Sequence, residues 1–350
     1  GINANVTFLD SSNRNRLGEE PLNSTFGQRL ALGGQVSKRF GGYRVTGAVE
    51  HEKEDFRTEG QAVFGAPDQD RSRSLTAFVG EWRAEWLPGF TTDVAVRHDD
   101  FSTFEDATTV RASASFSPAA GWTLHAAYGQ GIAQPQFYDL YGFFPGSFVG
   151  NPDLKPERSE GWEAGLRWGG RHASVALTGY SYRLTDEIVG VFDPVTFLSS
   201  TDNADGKSRR RGIEAAADYH FSPATLAFVN YSYLDAEERR FAGDQPVREV
   251  RRPRHSADAG FLGSAERISW GASLAYVGKR YDSDFDFFPA PRVTLGDYVL
   301  GSLKLGYRLT PKLEAYARVE NAFDADYQDV FGYHTAGRTA YAGLRLRLGD

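Results

Sequence analysis

Polar and apolar residues alternate one by one along many stretches of this chain. Over 312–320 every second residue is apolar and the residues between are charged or aromatic, and 110–116, 299–309 and 339–348 repeat the pattern. Because successive side chains of a strand point to opposite faces, each stretch predicts a strand with one apolar and one polar face. A soluble antiparallel sheet would alternate equally well, but many of these strands exceed its usual length of about 5–6 residues.

Short and long connections also alternate along the whole sequence. The tight turns fall at 40–42, 87–89, 118–121, 169–171, 222–224, 263–266 and 310–312. The long polar loops fall near 11–25, 55–71, 100–106, 131–158, 185–203, 236–253, 281–292 and 323–336. Seven turns and eight loops predict sixteen strands with both chain ends on the tight-turn side. Short turns at one end and long loops at the other are typical of a transmembrane antiparallel β-barrel, so residues 1–350 are interpreted as one all-β barrel segment.

Composition supports a barrel in a membrane and narrows the classes of function. Aromatic residues make up 14% of the chain, and many lie near strand ends, where they suit the lipid–water interface. The net charge of −7 argues against a nucleic-acid partner. The one basic run, 209–211, is interpreted as a patch that faces lipopolysaccharide or the barrel lumen.

The chain has no cysteine, which excludes disulfides, thiolate zinc sites and a cysteine nucleophile. It also has no methionine, and its first residues already have a strand pattern. We therefore expect it to begin inside a longer precursor. No cofactor is expected.

Three motifs, in order, resemble those of one family. Segment 128–141 reads YGQGIAQPQFYDLY and is followed by GNPDLKPERS at 150–159; segment 203–214 reads NADGKSRRRGIE; and 319–330 reads VENAFDADYQDV, followed by GYHTAGR at 332–338. The first two are similar to strand-and-loop strings of TonB-dependent outer-membrane receptors. The third resembles the vitamin B12 (cobalamin) receptors of that family most.

The resemblance implies a monomeric outer-membrane transporter that takes up a scarce, large ligand with energy delivered through TonB. Such receptors have 22-stranded barrels filled by an N-terminal plug, which TonB grips. Since only about sixteen strands and no plug are predicted, the chain is interpreted as the C-terminal part of such a receptor. Six missing strands would leave unpaired edges, so we expect the segment alone to leak or to fail to close. Cobalamin is the first expected ligand and a ferric siderophore is the alternative.

Candidate ligand contacts lie on the long loops. Aromatic side chains of two loops could pack on a corrin or an aromatic chelate: Tyr138, Tyr141, Phe143, Phe144 and Phe148 in one, Phe285 and Phe287 in the other. Asp282, Asp284 and Asp286 alternate with aromatic residues and are weak candidates for a Ca²⁺ site, although a solvated loop is the preferred interpretation.

The residues argue against two other functions. A passive sixteen-stranded porin fits the strand number but not the receptor-like motifs. A lipid hydrolase would need Ser and His facing lipid, whereas His125, Ser113 and Ser115 lie on the polar faces of their strands. No enzymatic activity is expected.

Overall fold

The computed structural model describes residues 1–60, 69–144 and 147–348, with the side chains of Phe143 and Phe144 outside the description. The described residues form an antiparallel all-β structure with one short helix. The elements are β1 (Ile2–Leu17), β2 (Glu20–Phe40), β3 (Tyr43–Gly60), β4 (Asp70–Leu87), β5 (Phe90–Phe101), β6 (Ala107–Phe116), β7 (Trp122–Ala133), α1 (Phe137–Tyr141), β8 (Phe143–Phe144), β9 (Phe148–Val149), β10 (Glu157–Gly169), β11 (Ala173–Thr185), β12 (Ile188–Asp193), β13 (Leu198–Asn203), β14 (Ser208–Ser222), β15 (Thr225–Glu238), β16 (Val247–Arg248), β17 (His255–Ala265), β18 (Ile268–Val277), β19 (Arg280–Ser283), β20 (Arg292–Leu295), β21 (Tyr298–Arg308), β22 (Leu313–Glu320) and β23 (Thr339–Leu346).

Sixteen long strands form one sheet in which each pairs with the next along the chain. The order is β1 to β7, then β10, β11, β14, β15, β17, β18, β21, β22 and β23. The prediction of sixteen consecutive antiparallel strands is confirmed. Among the described residues, no pairing joins β1 to β23, so both strands are edges of the sheet.

The predicted tight turns are confirmed. Gly41 and Gly89 take φ values of 58° and 83° in two of them, a conformation that glycine adopts without a steric penalty. The turn between β17 and β18 lies at Glu266 and Arg267, slightly later than predicted.

One predicted long loop is wrong. Apart from a tight turn at Gly18 and Glu19, residues 11–25 belong to β1 and β2, which stay paired from Ile2 opposite Val36 to Leu17 opposite Glu20. The segment is polar on both faces, which resembles a loop in sequence. Backbone hydrogen bonds between two strands do not require apolar side chains. A strand with both faces exposed to water therefore need not alternate polar and apolar residues.

The loop predicted at 55–71 is also shorter than expected. β3 and β4 remain paired as far as Arg57 opposite Asp70, and 61–68 lie outside the described residues. The other predicted loops are confirmed, and several of them contain the helix or the short strands.

Cross-strand partners confirm that the strands have one charged and one apolar face. Glu314 lies opposite Arg345, and their side chains form an ion pair of 3.4 Å. Ala315 lies opposite Leu344 on the other face. The helix α1 packs against the charged face of β3 and β4, because the Arg73 guanidinium donates a 2.7 Å hydrogen bond to the Pro135 carbonyl. We therefore call the charged face the inner face and the apolar face the outer face.

Aromatic side chains border the apolar band of the outer face. Near the tight turns the ring pairs are Tyr43–Trp82 (6.2 Å), Trp82–Trp86 (5.5 Å), Trp122–Trp168 (6.3 Å), Tyr219–Phe221 (4.8 Å) and Phe221–Phe261 (5.9 Å). Nearer the loops, Tyr128 lies opposite Trp162 on the same face. Two aromatic borders around an apolar band are the expected profile of a strand wall that crosses a bilayer.

An arginine on the outer face is predicted to disturb the barrel much more than one on the inner face. Leu303 is 53% exposed and lies opposite Ala272, whereas its neighbour Ser302 lies opposite Ser273 on the inner face. Leu303→Arg should cost about 2–4 kcal/mol or prevent assembly; Ser302→Arg should change stability by about 0.5 kcal/mol or less. Urea unfolding in lipid vesicles, followed by tryptophan fluorescence, measures both. Equal costs would contradict the assignment of the two faces.

Candidate ligand-binding surface

The long loop between β7 and β10 folds over the inner face of β3 and β4. Its helix α1 is preceded by the N-cap residue Gln136, whose backbone N–H donates to the Asp139 carboxylate at 3.1 Å. The Phe137 ring stacks on Phe56 with centroids 5.0 Å apart, and the Arg73 guanidinium lies 4.4 Å from the Phe137 centroid. These contacts fix α1 against the wall at the loop end of the strands.

Three of the predicted aromatic residues come together around α1. Tyr138 stacks on Phe148 with centroids 4.8 Å apart and planes at 10°, and 45% of Tyr138 remains exposed. Tyr141 lies under the exposed guanidinium of Arg71, 4.7 Å from its ring centroid. We call these four side chains, Arg71, Tyr138, Tyr141 and Phe148, the α1 surface.

The α1 surface carries positive charge, and its exposed ring, Tyr138, contributes no competing phenolate. Partial burial and then the neighbouring Asp139 carboxylate raise the pKa of Tyr138 above its ordinary value of 10.0. The phenol is therefore neutral at physiological pH, while the guanidinium of Arg71 is always charged. The surface offers flat aromatic faces beside a cation.

The proline-containing motif at 150–159 stabilises this loop. The Asn151 side chain donates to the Thr201 carbonyl at 3.1 Å, and the Thr201 hydroxyl donates to the Asp139 carbonyl at 2.8 Å. Leu140 of α1 and Leu154 of the motif are almost fully buried, at 1% and 3% exposure. The motif residues thus form a small core that holds α1 in place.

Asn203 of the second motif joins the same core. Its carboxamide oxygen accepts a 2.7 Å hydrogen bond from the Lys155 N–H, and its amide donates to the carbonyls of Lys155 and Asp186 at 3.0 and 2.7 Å. Both motifs therefore act through packing of the loops.

The second predicted aromatic loop lies apart from α1. Phe285 and Phe287 are 75% and 64% exposed. Their neighbour Phe288 meets Phe192 of β12 edge-on, with centroids 4.8 Å apart. This contact brings the β12–β13 hairpin next to the loop at 284–291.

The three aspartates have different surroundings. The Asp282 carboxylate is completely buried and accepts hydrogen bonds from Arg251 and from the N–H groups of Ser283 and Phe331 at 2.9, 2.9 and 2.8 Å. Burial opposes ionisation of Asp282, but the two backbone donors and the guanidinium outweigh it and lower its pKa. Asp284 accepts the N–H of Asp286, which is exposed. In the described part of the chain, no group of three or more His, Asp or Glu side chains could hold a metal ion.

The structure adds residues that the motifs did not indicate. Phe56, Arg71, Arg73 and Phe137 complete the surroundings of α1, and Phe192 and Phe288 join two loops. Strand alternation could have placed Phe56, Arg71 and Arg73 on the inner face. The side chains of the predicted residues Phe143 and Phe144 lie outside the described residues.

Residues 2–322 match the family described as TonB dependent receptor-like, beta-barrel. The chain belongs to this family of transport receptors, which are outer-membrane β-barrels of Gram-negative bacteria, so the inner face lines the barrel lumen and the outer face meets lipid. No helix of the described residues is long and apolar enough to span a membrane.

Solved structures agree with this fold. The siderophore receptor PirA from Acinetobacter baumannii superposes with a TM-score of 0.81 at 15% identity, over 99% of this chain and 60% of that chain. A mutant of the ferric enterobactin receptor PfeA from Pseudomonas aeruginosa, in complex with enterobactin, gives 0.80 at 18% identity, over 99% and 60%. The copper transporter OprC gives 0.74 at 17% identity, over 99% and 62%. The chain thus spans about 60% of the length of these receptors.

Removal of the Asp282 carboxylate is predicted to loosen the loop at 321–338. Asp282→Ala deletes the acceptor of the Phe331 N–H, and a lost buried acceptor costs about 1–3 kcal/mol. Hydrogen exchange at Phe331 should therefore accelerate about tenfold or more, whereas the control Asp286→Ala should leave it unchanged.

The same contact has a predictable pH dependence. Folding lowers the pKa of Asp282 from 3.8. The stabilisation of the fold by the ionised Asp282 carboxylate is therefore complete above that value, and it is lost as the pH falls through the lower pKa that Asp282 has in the folded state. If Asp282→Ala leaves hydrogen exchange at the Phe331 N–H unchanged, the Asp282 carboxylate does not anchor this loop.

Proposed function

We propose that this chain forms the barrel of a receptor that takes up a ferric siderophore with anionic aromatic groups, such as a catecholate, across the outer membrane. The observation that carries the proposal is the α1 surface. It combines the half-exposed Tyr138 ring with the exposed Arg71 guanidinium at the mouth of the lumen.

The chemistry of a ferric catecholate complements this surface. Such a complex presents flat aromatic rings and a net negative charge around a sheltered iron. Stacked aromatic pairs add about 0.5–1.5 kcal/mol beyond burial of their area, and guanidinium groups favour anionic oxygens. A neutral phenol at Tyr138 avoids repulsion of the anion.

Cobalamin, the first ligand that the sequence resemblance implies, has weaker support than a siderophore. The resemblance to cobalamin receptors rests on the segment 319–338, whose polar residues stabilise their own loop. The Asn321 side chain accepts a hydrogen bond from the Ala325 N–H and donates one to the Ala325 carbonyl, both at 2.9 Å. The Asp324 carboxylate accepts a hydrogen bond from the Arg338 N–H at 2.8 Å. Residues that maintain a loop do not report on the ligand. The similar structures named above include siderophore receptors and a copper transporter.

The barrel itself performs no covalent chemistry in this proposal. The ligand binds at the outer loops, and TonB pulls on a plug domain to open a path through the lumen. Charged residues of the inner face, namely Lys312, Glu314, Arg318, Arg345 and Arg347, hold the plug by ion pairs and hydrated contacts. The receptor works as a monomer.

Uptake by living cells tests the ligand and the energy source together. Cells that lack their own siderophore and cobalamin receptors receive the complete gene and are supplied with ⁵⁵Fe-labelled enterobactin or with labelled cobalamin. We expect accumulation of iron that a protonophore abolishes, and no accumulation of cobalamin. Cobalamin uptake alone would contradict the siderophore proposal, and uptake insensitive to the protonophore would favour a passive pore.

A variant of the α1 surface identifies the binding site in the same assay. Tyr138→Ala removes the exposed ring and should weaken binding of the ferric siderophore to the cell surface about tenfold, in the range of a contact worth 1–2 kcal/mol. Tyr333→Ala is the matched control, because Tyr333 is a loop tyrosine that is 73% exposed. Equal effects of both variants would place the ligand elsewhere.

A further inference from the structure

Three arginines lie side by side on the inner face where β2, β3 and β4 reach their tight turns. Arg39 of β2 lies opposite Arg44 of β3, and Arg44 lies opposite Arg83 of β4. We call Arg39, Arg44 and Arg83 the arginine triad. In the part of the chain that the structure describes, no ion pair joins any of the three to an acidic side chain.

Aromatic residues of the outer face give the depth of the arginine triad. Tyr43 and Trp82 directly precede Arg44 and Arg83, so they point to the opposite face of the wall. Their rings stack with centroids 6.2 Å apart, in the aromatic border near the tight turns. Such rings mark the boundary between hydrocarbon and headgroups, and the tight turns of a membrane barrel lie in the periplasm. The arginine triad therefore lies on the lumen wall at its periplasmic end.

The arginine triad lines a recess of about 150 Å³ together with Glu85 and Thr91. The lining thus carries three guanidinium groups and one carboxylate. Glu81 and Asp93 lie near Arg83 on the same face, and neither forms an ion pair with it among the described residues. Pockets that enclose a whole drug-sized ligand measure roughly 300–1,000 Å³. This recess therefore suits one anionic group at the edge of a larger molecule.

The arrangement of the arginine triad is costly unless an anion joins its members. Like charges directly opposite each other on neighbouring strands destabilise a sheet, and the triad contains two such contacts in succession. An anionic group between the guanidinium groups removes the repulsion. The planar fork of arginine binds paired anionic oxygens in bidentate fashion.

Arginines at mid-height on the same part of the wall have acidic partners. Arg73 of β4 pairs with Glu54 of β3 at 2.6 Å, and Arg97 of β5 pairs with Glu50 of β3 at 2.7 Å. These cations are neutralised by the wall itself, so an anion in the lumen is attracted to them much less than to the arginine triad.

The strand β4 carries an arginine without an acidic partner near each end of its inner face. Arg71 of the α1 surface lies at the loop end, and Arg83 of the triad lies at the turn end, twelve residues further along. At 3.3 Å per residue the two positions are about 40 Å apart. An anion that binds at the α1 surface and follows this wall therefore reaches the arginine triad at the periplasmic end.

We propose that the arginine triad is a second anion site, which binds an anionic group of the ferric siderophore before the ligand leaves the lumen for the periplasm. The inference rests on the proposed function, since it names the exit of the ligand that the α1 surface receives. Clusters of arginine select anions in pores, where binding must be weak enough for release. A carboxylate of the plug domain is the alternative occupant, and the permeability of the cells distinguishes the two.

Uptake by cells that carry the complete receptor tests the exit site. The variant Arg39→Gln/Arg44→Gln/Arg83→Gln should slow energy-dependent uptake of ⁵⁵Fe-labelled enterobactin at least about tenfold, because a cleft lined by charge of one sign speeds the arrival of a counter-ion by factors of about 10–1,000. The Kd of the ferric siderophore at the cell surface should stay unchanged, since the α1 surface is intact.

A second triple variant is the matched control. Arg111→Gln/Arg167→Gln/Arg308→Gln also removes three arginines of the inner face, but none of them lies opposite another arginine. The loss of net charge is the same in both variants. The control should slow uptake less than about twofold, because it leaves the recess and its charge in place.

A cysteine in the recess tests the anion site without reference to the transported ligand. The chain has no cysteine, so Thr91→Cys places a single thiol in the barrel. In the complete receptor in detergent, pyrophosphate at about four times its Kd should slow the reaction of this thiol with N-ethylmaleimide about fivefold, by the factor 1 + [L]/Kd. Sodium chloride of equal ionic strength is the reference. Protection should be lost when the three arginines are glutamine.

The outcomes separate the exit site from the proposed function. If the unmodified receptor takes up no iron, the siderophore is wrong as the ligand and so is its exit at the triad, although protection of the thiol still identifies an anion site. If iron uptake is as fast in the triad variant as in the control, or if pyrophosphate gives no protection, the triad is not an exit site and the proposed function stands. Vancomycin is excluded by an intact outer membrane. Its entry into cells with the triad variant, but not with the control, would assign the arginines to a carboxylate of the plug and overturn the ligand as their occupant.

Discussion

The hydrogen bonding of the backbone is the constraint on which this structure depends. Hydrocarbon offers no partner for N–H and C=O groups, so every strand in the bilayer must pair with strands on both sides. Fourteen of the sixteen strands, paired in sequence order, meet this demand; among the described residues the edge strands β1 and β23 each have a partner on one side. Once the ladder is fixed, the alternation of side chains assigns each residue to lipid or to the lumen. The loops are free of this demand, and there the chain places its helix, its buried loop core and its exposed aromatic rings.

Much of the barrel could be predicted because successive side chains of a strand point to opposite faces, which gives the sequence a repeat of two residues. The stretch 312–320 alternates so regularly that its faces follow directly from the sequence, and Gly41 and Gly89 mark two of the turns. The prediction failed where the sequence lacks this two-residue repeat. Over 11–25 both faces are wet, so polar residues such as Asn13 and Asn15 occur in paired strands but look like a loop.

The candidate site could be predicted only in part. Tyr138 and Phe148 belong to one loop, so their proximity was a reasonable expectation, and the structure stacks them. Arg71 reaches Tyr141 across about 70 residues of sequence, a contact that depends on how the loop folds over β4. Asp282 shows the opposite case: an acidic residue among aromatic ones suggested an exposed loop, whereas burial and three hydrogen-bond donors make it a structural anchor.

The most direct test of this account is the exposure of successive residues along one strand. The chain has no cysteine, so single cysteines at positions 301 to 306 of β21 can carry a nitroxide spin label in the receptor reconstituted in lipid vesicles. The account predicts that labels at 303 and 305 are accessible to oxygen dissolved in the lipid, and that labels at 302 and 304 are accessible to a water-soluble nickel complex. Accessibility that does not alternate with period two would contradict the barrel wall described above.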